Sequence, residues 1–97
     1  MTTDLEVQTF DEVWDAIEDA PEAAASMRLR SKLLIAIEQE VRSWDLTQEK
    51  AAKRLAVTQP RLNDLLRGKI DKFSLDALID VSSRAGLSVK LEIAKAA

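Results

Sequence analysis

The sequence contains no cysteine and no histidine among its 97 residues. Without cysteine there are no disulfides or thiolate metal sites, and without histidine the commonest metal ligand and general base is missing. No apolar run is long enough to span a membrane, and the acidic N-terminus is unlike a signal or transit peptide, so we expect a cytoplasmic protein. Nucleophile–base pairs, glycine-rich phosphate loops and metal-spaced clusters are also lacking. We therefore expect a single domain that is not an enzyme and that uses no cofactor or metal.

Charge is distributed unevenly along the chain, although the net charge is only −3. Residues 1–27 carry eight acidic side chains and no basic ones, giving −8. Residues 28–72 carry eleven bases and six acids, giving +5, and residues 73–97 carry three of each. A nucleic-acid surface beside an acidic appendage produces this asymmetry. A solvated surface with an acidic arm is the plainer alternative.

The stretch Leu46–Lys69, LTQEKAAKRLAVTQPRLNDLLRGK, has the pattern of two short helices joined by a tight turn. Thr47 is placed to cap the first helix, at about 47–55, and Thr58 the second, at about 58–67. Apolar residues at helical spacing form the inner faces of both helices: Ala51, Ala52, Leu55, Leu62, Leu65 and Leu66. The sequence therefore predicts a compact pair of amphipathic helices.

Three residues shape the turn and the ends of this pair. Pro60 falls in the first turn of the second helix, where its missing N–H does no harm, and Gly68 follows the last apolar residue as a helix stop. Ala56 lies in the turn between the helices. Because alanine disfavours positive φ, the turn either keeps φ negative there or carries a strain of about 1 kcal/mol.

Turning the leucines of the second helix inward leaves a polar face outward. That face and its flanks hold Gln59, Pro60, Arg61, Asn63, Asp64 and Arg67. Asn and Gln pair bidentately with adenine, and Arg with guanine, in a major groove that admits one helix. We expect Asp64 to orient Arg67 or Arg61, or to accept a hydrogen bond from a cytosine amine. An ordinary solvated helix face is the alternative.

The same stretch resembles the helix-turn-helix of the Xre/Cro-like family. Gln48 opens the first helix of the pair, Ala52 occupies the close-contact position, and Leu62 and Leu65 match core residues of the recognition helix. The ending LLRGK and the following FSLDAL resemble the HigA-type antitoxin branch. The resemblance implies a mainly all-α fold: a five-helix, lambda-repressor-like DNA-binding bundle with an N-terminal helical arm.

The resemblance also implies a function, that of a sequence-specific repressor on a palindromic operator in double-stranded DNA. More finely, it implies the antitoxin of a type II toxin–antitoxin pair that represses its own operon. The implied base contacts are Gln59, Arg61 and Asn63, and the implied phosphate contacts are Gln48, Thr58, Arg67 and Lys69. A stand-alone or phage-type regulator without a toxin, and an interaction module without DNA binding, remain alternatives.

Residues 1–22 are predicted to form an acidic arm with a short helix, ahead of a helix-turn-helix domain at residues 23–86. The candidate partner surface of this arm comprises Trp14, Asp11, Asp15 and Glu18. A small basic ribonuclease toxin would suit such a surface. The alternative is that these residues form only the solvent-exposed face of a helix. Trp14 either packs, with Val13 and Ile17, against the chain's own bundle or anchors a partner. A metal site is not expected, because carboxylates on a helix surface lack preorganised geometry.

A long amphipathic helix is predicted from Pro21 to about Ser43, and the apolar positions recur every three or four residues: Leu29, Leu33, Leu34, Ile37, Val41 and Trp44. Three basic residues near its start either touch phosphates or pair with the acidic arm: Arg28, Arg30 and Lys32. Beyond the recognition helix, Phe73 should be buried and Ser74 should cap a last helix that stops at Gly86. The apolar face of that helix is predicted to contain Leu75, Leu78, Ile79 and Ser82.

Residues 87–97 are predicted to form a dimerisation strand and tail. Leu87, Val89, Leu91 and Ile93 alternate with polar residues, which is the period of a β-strand. A single strand does not persist in water, so it needs a partner. The same strand of a second copy, antiparallel across a twofold axis, would make a homodimer. Pairing with residues 5–9 of the same chain is the alternative.

Overall fold

The computed structural model describes residues 21–95 and shows an all-helical arrangement there. The four α-helices are α1 at Pro21–Ser43, α2 at Gln48–Leu55, α3 at Gln59–Leu66 and α4 at Leu75–Arg84, and a 3-10 turn occupies Ile70–Lys72. The mainly α-helical class is therefore confirmed. The fifth predicted helix, the acidic arm and its residues Asp11, Trp14, Asp15 and Glu18 lie outside the described residues.

The core forms where α1 packs against α4 and α3, and where α2 packs against α3 and α4. Its most deeply buried large side chains come from all four helices and from the end of the 3-10 turn: Ile37, Leu55, Leu62, Leu65, Phe73 and Leu78. Phe73 is buried, as the sequence predicted. One expectation is wrong, because Ile79 was assigned to the apolar face of the last helix but remains 39% exposed. Leu29, an apolar position of α1, is 48% exposed. Both border a groove that the described helices do not fill.

Side-chain caps begin three of the helices, as the sequence predicted. Thr47 Oγ1 accepts a hydrogen bond from the Lys50 amide at 3.2 Å, and Thr58 Oγ1 accepts one from the Arg61 amide at 3.2 Å. Ser74 Oγ accepts the Ala77 amide at 3.1 Å. Each cap satisfies a backbone donor that has no partner inside its helix, and so fixes where the helix begins.

The turn between α2 and α3 is built on Ala56, which has φ +58°. The Val57 amide donates to the Ala52 carbonyl at 3.0 Å, and the Ala56 amide donates to the Lys53 carbonyl at 3.1 Å. This is the Schellman pattern of a helix end, in which the residue after the helix takes the left-handed conformation. Of the two possibilities that the sequence left open, the strained one is therefore present.

The ends of α3 and α4 repeat this pattern with glycine. Gly68 has φ +76° and Gly86 has φ +84°, and each is followed by an amide that reaches back five residues. A Cβ added at either glycine would meet no atom within 4 Å. The conformation alone, and not crowding, therefore favours glycine at these two positions.

The C-terminal segment after Gly86 has no strand within the described residues. Leu87 packs partly against the core, whereas Val89, Leu91 and Ile93 are 47%, 80% and 82% exposed. A strand requires a hydrogen-bonding neighbour, and no strand in residues 21–95 offers one. The alternative neighbour, residues 5–9, lies outside the described part of the chain.

Candidate nucleic-acid interface

The recognition helix α3 has the polarity that a DNA-reading helix needs. Leu62 and Leu65 are almost completely buried, at 1% and 2% exposure, and Leu66 is half-buried. Gln59 is exposed and Asn63 is half-buried on the other side of the helix. Burial of the leucines fixes the rotation of α3, and this rotation turns the two amide side chains away from the core.

The N-termini of α2 and α3 differ in how many backbone donors they leave for an anion. In each helix the threonine cap uses the third amide. At α2 the amides of Gln48 and Glu49 remain without a helical acceptor. At α3 the second position is Pro60, which has no N–H, so only the Gln59 amide remains. The start of α2 is therefore the better backbone site for a phosphate.

Arg61 is exposed, but its guanidinium group contacts the protein. Its Nη1 donates to the Lys72 carbonyl at 3.1 Å, and its guanidinium carbon lies 4.2 Å from the centroid of the Phe73 ring. The side chain therefore links α3 to the 3-10 turn through a hydrogen bond and a cation–π contact. Contact with a base would require Arg61 to leave Phe73.

Asp64 pairs with two lysines that follow α3. Its carboxylate oxygens lie 3.6 Å from Lys69 Nζ and 3.7 Å from Lys72 Nζ. The expected partners were Arg61 or Arg67, whereas the ion pairs of Asp64 are with lysines. The 3-10 turn brings Lys72 back beside α3. Lys72 was counted only as part of the basic block, because the helix was expected to stop at Gly68.

Other cations of the basic block are held against the protein itself. Arg30 Nη1 donates to the Phe73 carbonyl at 3.2 Å, so this residue connects α1 to the end of the 3-10 turn. The Arg54 guanidinium lies 3.9 Å from the centroid of the Trp44 ring. Trp44 in turn donates from Nε1 to Glu40 at 3.0 Å. Arg30 therefore makes a contact within the protein that the sequence did not indicate.

Exposed positions on α2, α3 and the following loop make up the rest of the surface. Gln48, Thr58 and Arg67 are exposed, and Lys69 is half-buried beside Asp64. Together with Gln59 and Asn63 they surround the two helix starts and the end of α3. These six residues, with Arg61, are called the α2–α3 surface below.

Comparison with known proteins agrees with this geometry. A family model described as "Helix-turn-helix domain" matches residues 16–94, which is most of the chain. A search of curated proteins gave no significant match. Among the helices of residues 21–95, none combines the length and apolar character that crossing a membrane requires. The capped α2–α3 pair and the family match together show that the chain belongs to the helix-turn-helix domain family, a family of DNA-binding domains.

Proposed function

We propose that this protein is a sequence-specific transcriptional repressor of the Xre/Cro-like kind that binds a palindromic operator as a homodimer. More specifically, we propose that it is the HigA-type antitoxin of a type II toxin–antitoxin pair and represses its own operon. The observation that carries the proposal is the orientation of α3, with Leu62 and Leu65 buried and Gln59 and Asn63 on the opposite side. The proposal assigns no catalytic role and no cofactor to the chain.

Base recognition is assigned to Gln59, Asn63 and Arg61. The amides of Gln59 and Asn63 suit the N6 and N7 edge of adenine in the major groove. Arg61 suits guanine, and it would exchange its contact with Phe73 for one with a base. Arg61 is exposed, so its contact with the buried Phe73 ring is worth about 0.5–1 kcal/mol, and a bidentate pair with guanine can replace it.

Phosphate contacts are assigned to residues that border α3. The free amide and side chain of Gln48 lie at the start of α2, and Thr58 lies at the start of α3. Arg67 and Lys69 follow the end of α3, where Lys69 is held by Asp64. Contacts of this kind set the position of the domain on the duplex and carry no sequence information.

Dimerisation is assigned to the segment Leu87–Ile93. Its apolar residues Val89, Leu91 and Ile93 are exposed to solvent, which supports a role in association. An antiparallel ribbon with the same segment of a second copy would provide the missing strand neighbour. Two copies would then present their α3 helices to half-sites about 34 Å apart, one turn of the duplex.

The antitoxin assignment is supported by LLRGK, FSLDAL and the acidic residues 1–22. Trp14, Asp11, Asp15 and Glu18 would contact a small basic ribonuclease, so that DNA and toxin would occupy different parts of the chain. Co-expression with the product of a neighbouring reading frame for a small basic protein tests this assignment. Recovery of a stable complex is the expected result, and a repressor that remains alone would be a stand-alone regulator.

DNA recognition is tested by selecting bound sequences from a random duplex pool. The expected product is an inverted repeat whose half-sites are one helical turn apart. A single unrepeated site would contradict the dimer, and recovery of unenriched sequences would contradict sequence-specific binding. Selection with an Asn63→Ala, Gln59→Ala double variant is the matched control, and it should lose the enrichment.

A further inference from the structure

An apolar groove of about 230 Å³ lies between α1, α4 and the C-terminal segment. Six apolar side chains line it: Leu29, Leu33, Leu75, Ile79, Val89 and Leu91. The other two lining residues are Lys32 and Lys90, and both are exposed. We call this feature the α1–α4 groove. None of the residues of the α2–α3 surface lines it, so it is separate from the DNA interface.

The walls of the groove are open to solvent. Leu29, Ile79, Val89 and Leu91 are 48%, 39%, 47% and 80% exposed, although each belongs to an apolar pattern in the sequence. Single exposed apolar residues are common on protein surfaces, but several that line one concave surface mark an interaction site. The groove therefore requires an occupant that is apolar on one side and compatible with two lysines.

We propose that the occupant is the N-terminal segment of the same chain, residues 1–20, and that Trp14 is its central contact. This segment contains Val13, Trp14 and Ile17 at the spacing of one helix face, together with seven acidic residues and no basic ones. The apolar face matches the walls of the groove, and the acidic residues match Lys32 and Lys90. The proposal does not depend on DNA binding, and a toxin that binds through Trp14 would have to displace the segment from the groove.

The length of the segment is sufficient for this contact. If residues 13–17 form one helical turn, residues 17–21 extend about 13 Å and the turn adds about 5 Å, so Trp14 lies up to about 18 Å from Pro21. Along α1, Leu29 and Leu33 lie about 12 and 18 Å from Pro21 at the helical rise. The segment therefore reaches the groove by running back along α1. Because it is tethered, its effective concentration at the groove is on the order of millimolar, which permits docking through a modest contact area.

Charge distinguishes this occupant from a second copy of the C-terminal segment. Residues 87–93 of a second copy carry both Lys90 and Glu92 and are neutral overall, so they would leave the charges of Lys32 and Lys90 in the groove largely unmatched. The N-terminal segment brings acidic residues only. Like charges at a contact are unfavourable and opposite charges are favourable, so the groove is better matched to the N-terminal segment.

Tryptophan fluorescence tests the proposal directly, because Trp14 and Trp44 are the only two tryptophans. A full-length Trp44→Phe variant leaves Trp14 as the single probe. If the segment occupies the groove, Trp14 emission shifts to shorter wavelength and its acrylamide quenching constant falls severalfold, relative to a peptide of residues 1–20. The quenching constant of Trp14 should rise again when salt is added, because salt screens the attraction between Lys32 and Lys90 and the acidic residues of the segment.

The groove itself is tested in the Trp44→Phe background. Ile79→Glu places a charge in the groove and should return Trp14 quenching to the value of the free peptide. Ile35→Glu is the matched control, because Ile35 is 50% exposed on α1 and does not line the groove. Circular dichroism during thermal unfolding checks that both variants fold. Lys32→Glu combined with Lys90→Glu should act like Ile79→Glu without removing any apolar group.

Three outcomes would overturn the proposal. In the first, the acrylamide quenching constant of Trp14 in the full-length protein equals that in the peptide. In the second, Ile79→Glu and Ile35→Glu change that constant equally. The third is protection of Trp14 that appears only as protein concentration rises, which would assign the contact to a second copy. Mobility shifts with DNA, measured on the same variants, report on the proposed function independently, so failure of one inference leaves the other intact.

Discussion

At the scale of single residues, Ala56 is the clearest case of a side chain that costs stability. It adopts φ +58° in a helix end where the two equivalent positions, Gly68 and Gly86, are glycine. Ala56→Gly should raise the free energy of unfolding by roughly 0.5–1 kcal/mol, because relief of the left-handed strain exceeds the added entropy of the unfolded chain. Urea denaturation measures this change.

Gly68→Ala and Gly86→Ala are the matched controls for that substitution. A Cβ at either position meets nothing within 4 Å, so each variant should lose about the amount that Ala56→Gly gains. A destabilised Ala56→Gly protein would show that the Ala56 methyl group stabilises the turn by more than its conformation costs.

Substitution of Asn63 and of Lys69 tests the proposed division between base recognition and phosphate binding. Asn63→Ala should cost roughly 1–3 kcal/mol on the operator and relax the preference at one base pair. Lys69→Ala should weaken binding to all sequences alike and reduce the salt slope by about 1. Mobility shifts on operator and scrambled duplexes, at two salt concentrations, measure both effects. Identical behaviour of the two variants would contradict the assigned division of roles.

At the scale of elements, the helix caps decide where α3 begins and therefore what it presents to DNA. Thr58 Oγ1 accepts the Arg61 amide at 3.2 Å, so Thr58→Ala should lower the free energy of unfolding by about 1 kcal/mol. Thr58→Ser keeps the hydroxyl and should retain most of that stability. Chemical denaturation of the three proteins gives the comparison.

A cap outside the DNA interface provides the control for binding. Ser74 Oγ accepts the Ala77 amide at 3.1 Å at the start of α4. Ser74→Ala should therefore match Thr58→Ala in lost stability while it leaves DNA affinity unchanged. Equal loss of DNA affinity in the two variants would argue against a phosphate contact from Thr58.

At the scale of the whole molecule, the proposed homodimer depends on the C-terminal segment. Leu91 is 80% exposed in the segment assigned to the intermolecular ribbon. Leu91→Pro removes a backbone donor and restricts φ, so the ribbon should fail and sedimentation should report a monomer. Leu91→Val keeps both the apolar character and the strand preference, and should remain a dimer. A Leu91→Pro protein that still sediments as a dimer would exclude the shared ribbon.

Features that depend on neighbours along the chain were predictable from sequence. The caps at Thr47, Thr58 and Ser74 were predicted because each hydroxyl residue precedes a stretch with apolar residues at helical spacing. Each hydroxyl accepts a hydrogen bond from the backbone amide three residues further along the chain. The extent of α1 follows from its three- and four-residue spacing. These signals are local, so the sequence alone contains them.

Contacts between elements were decided only by the tertiary structure. Arg61 lies on Phe73, and Asp64 pairs with Lys72, because the 3-10 turn folds back beside α3. The exposure of Ile79 arises for a similar reason, since helical periodicity defines an apolar face but not which neighbour covers it. Hydrogen bonds within a helix depend on fixed offsets along the chain. Side-chain partners across a turn depend on the path of the backbone, which only the packed molecule sets.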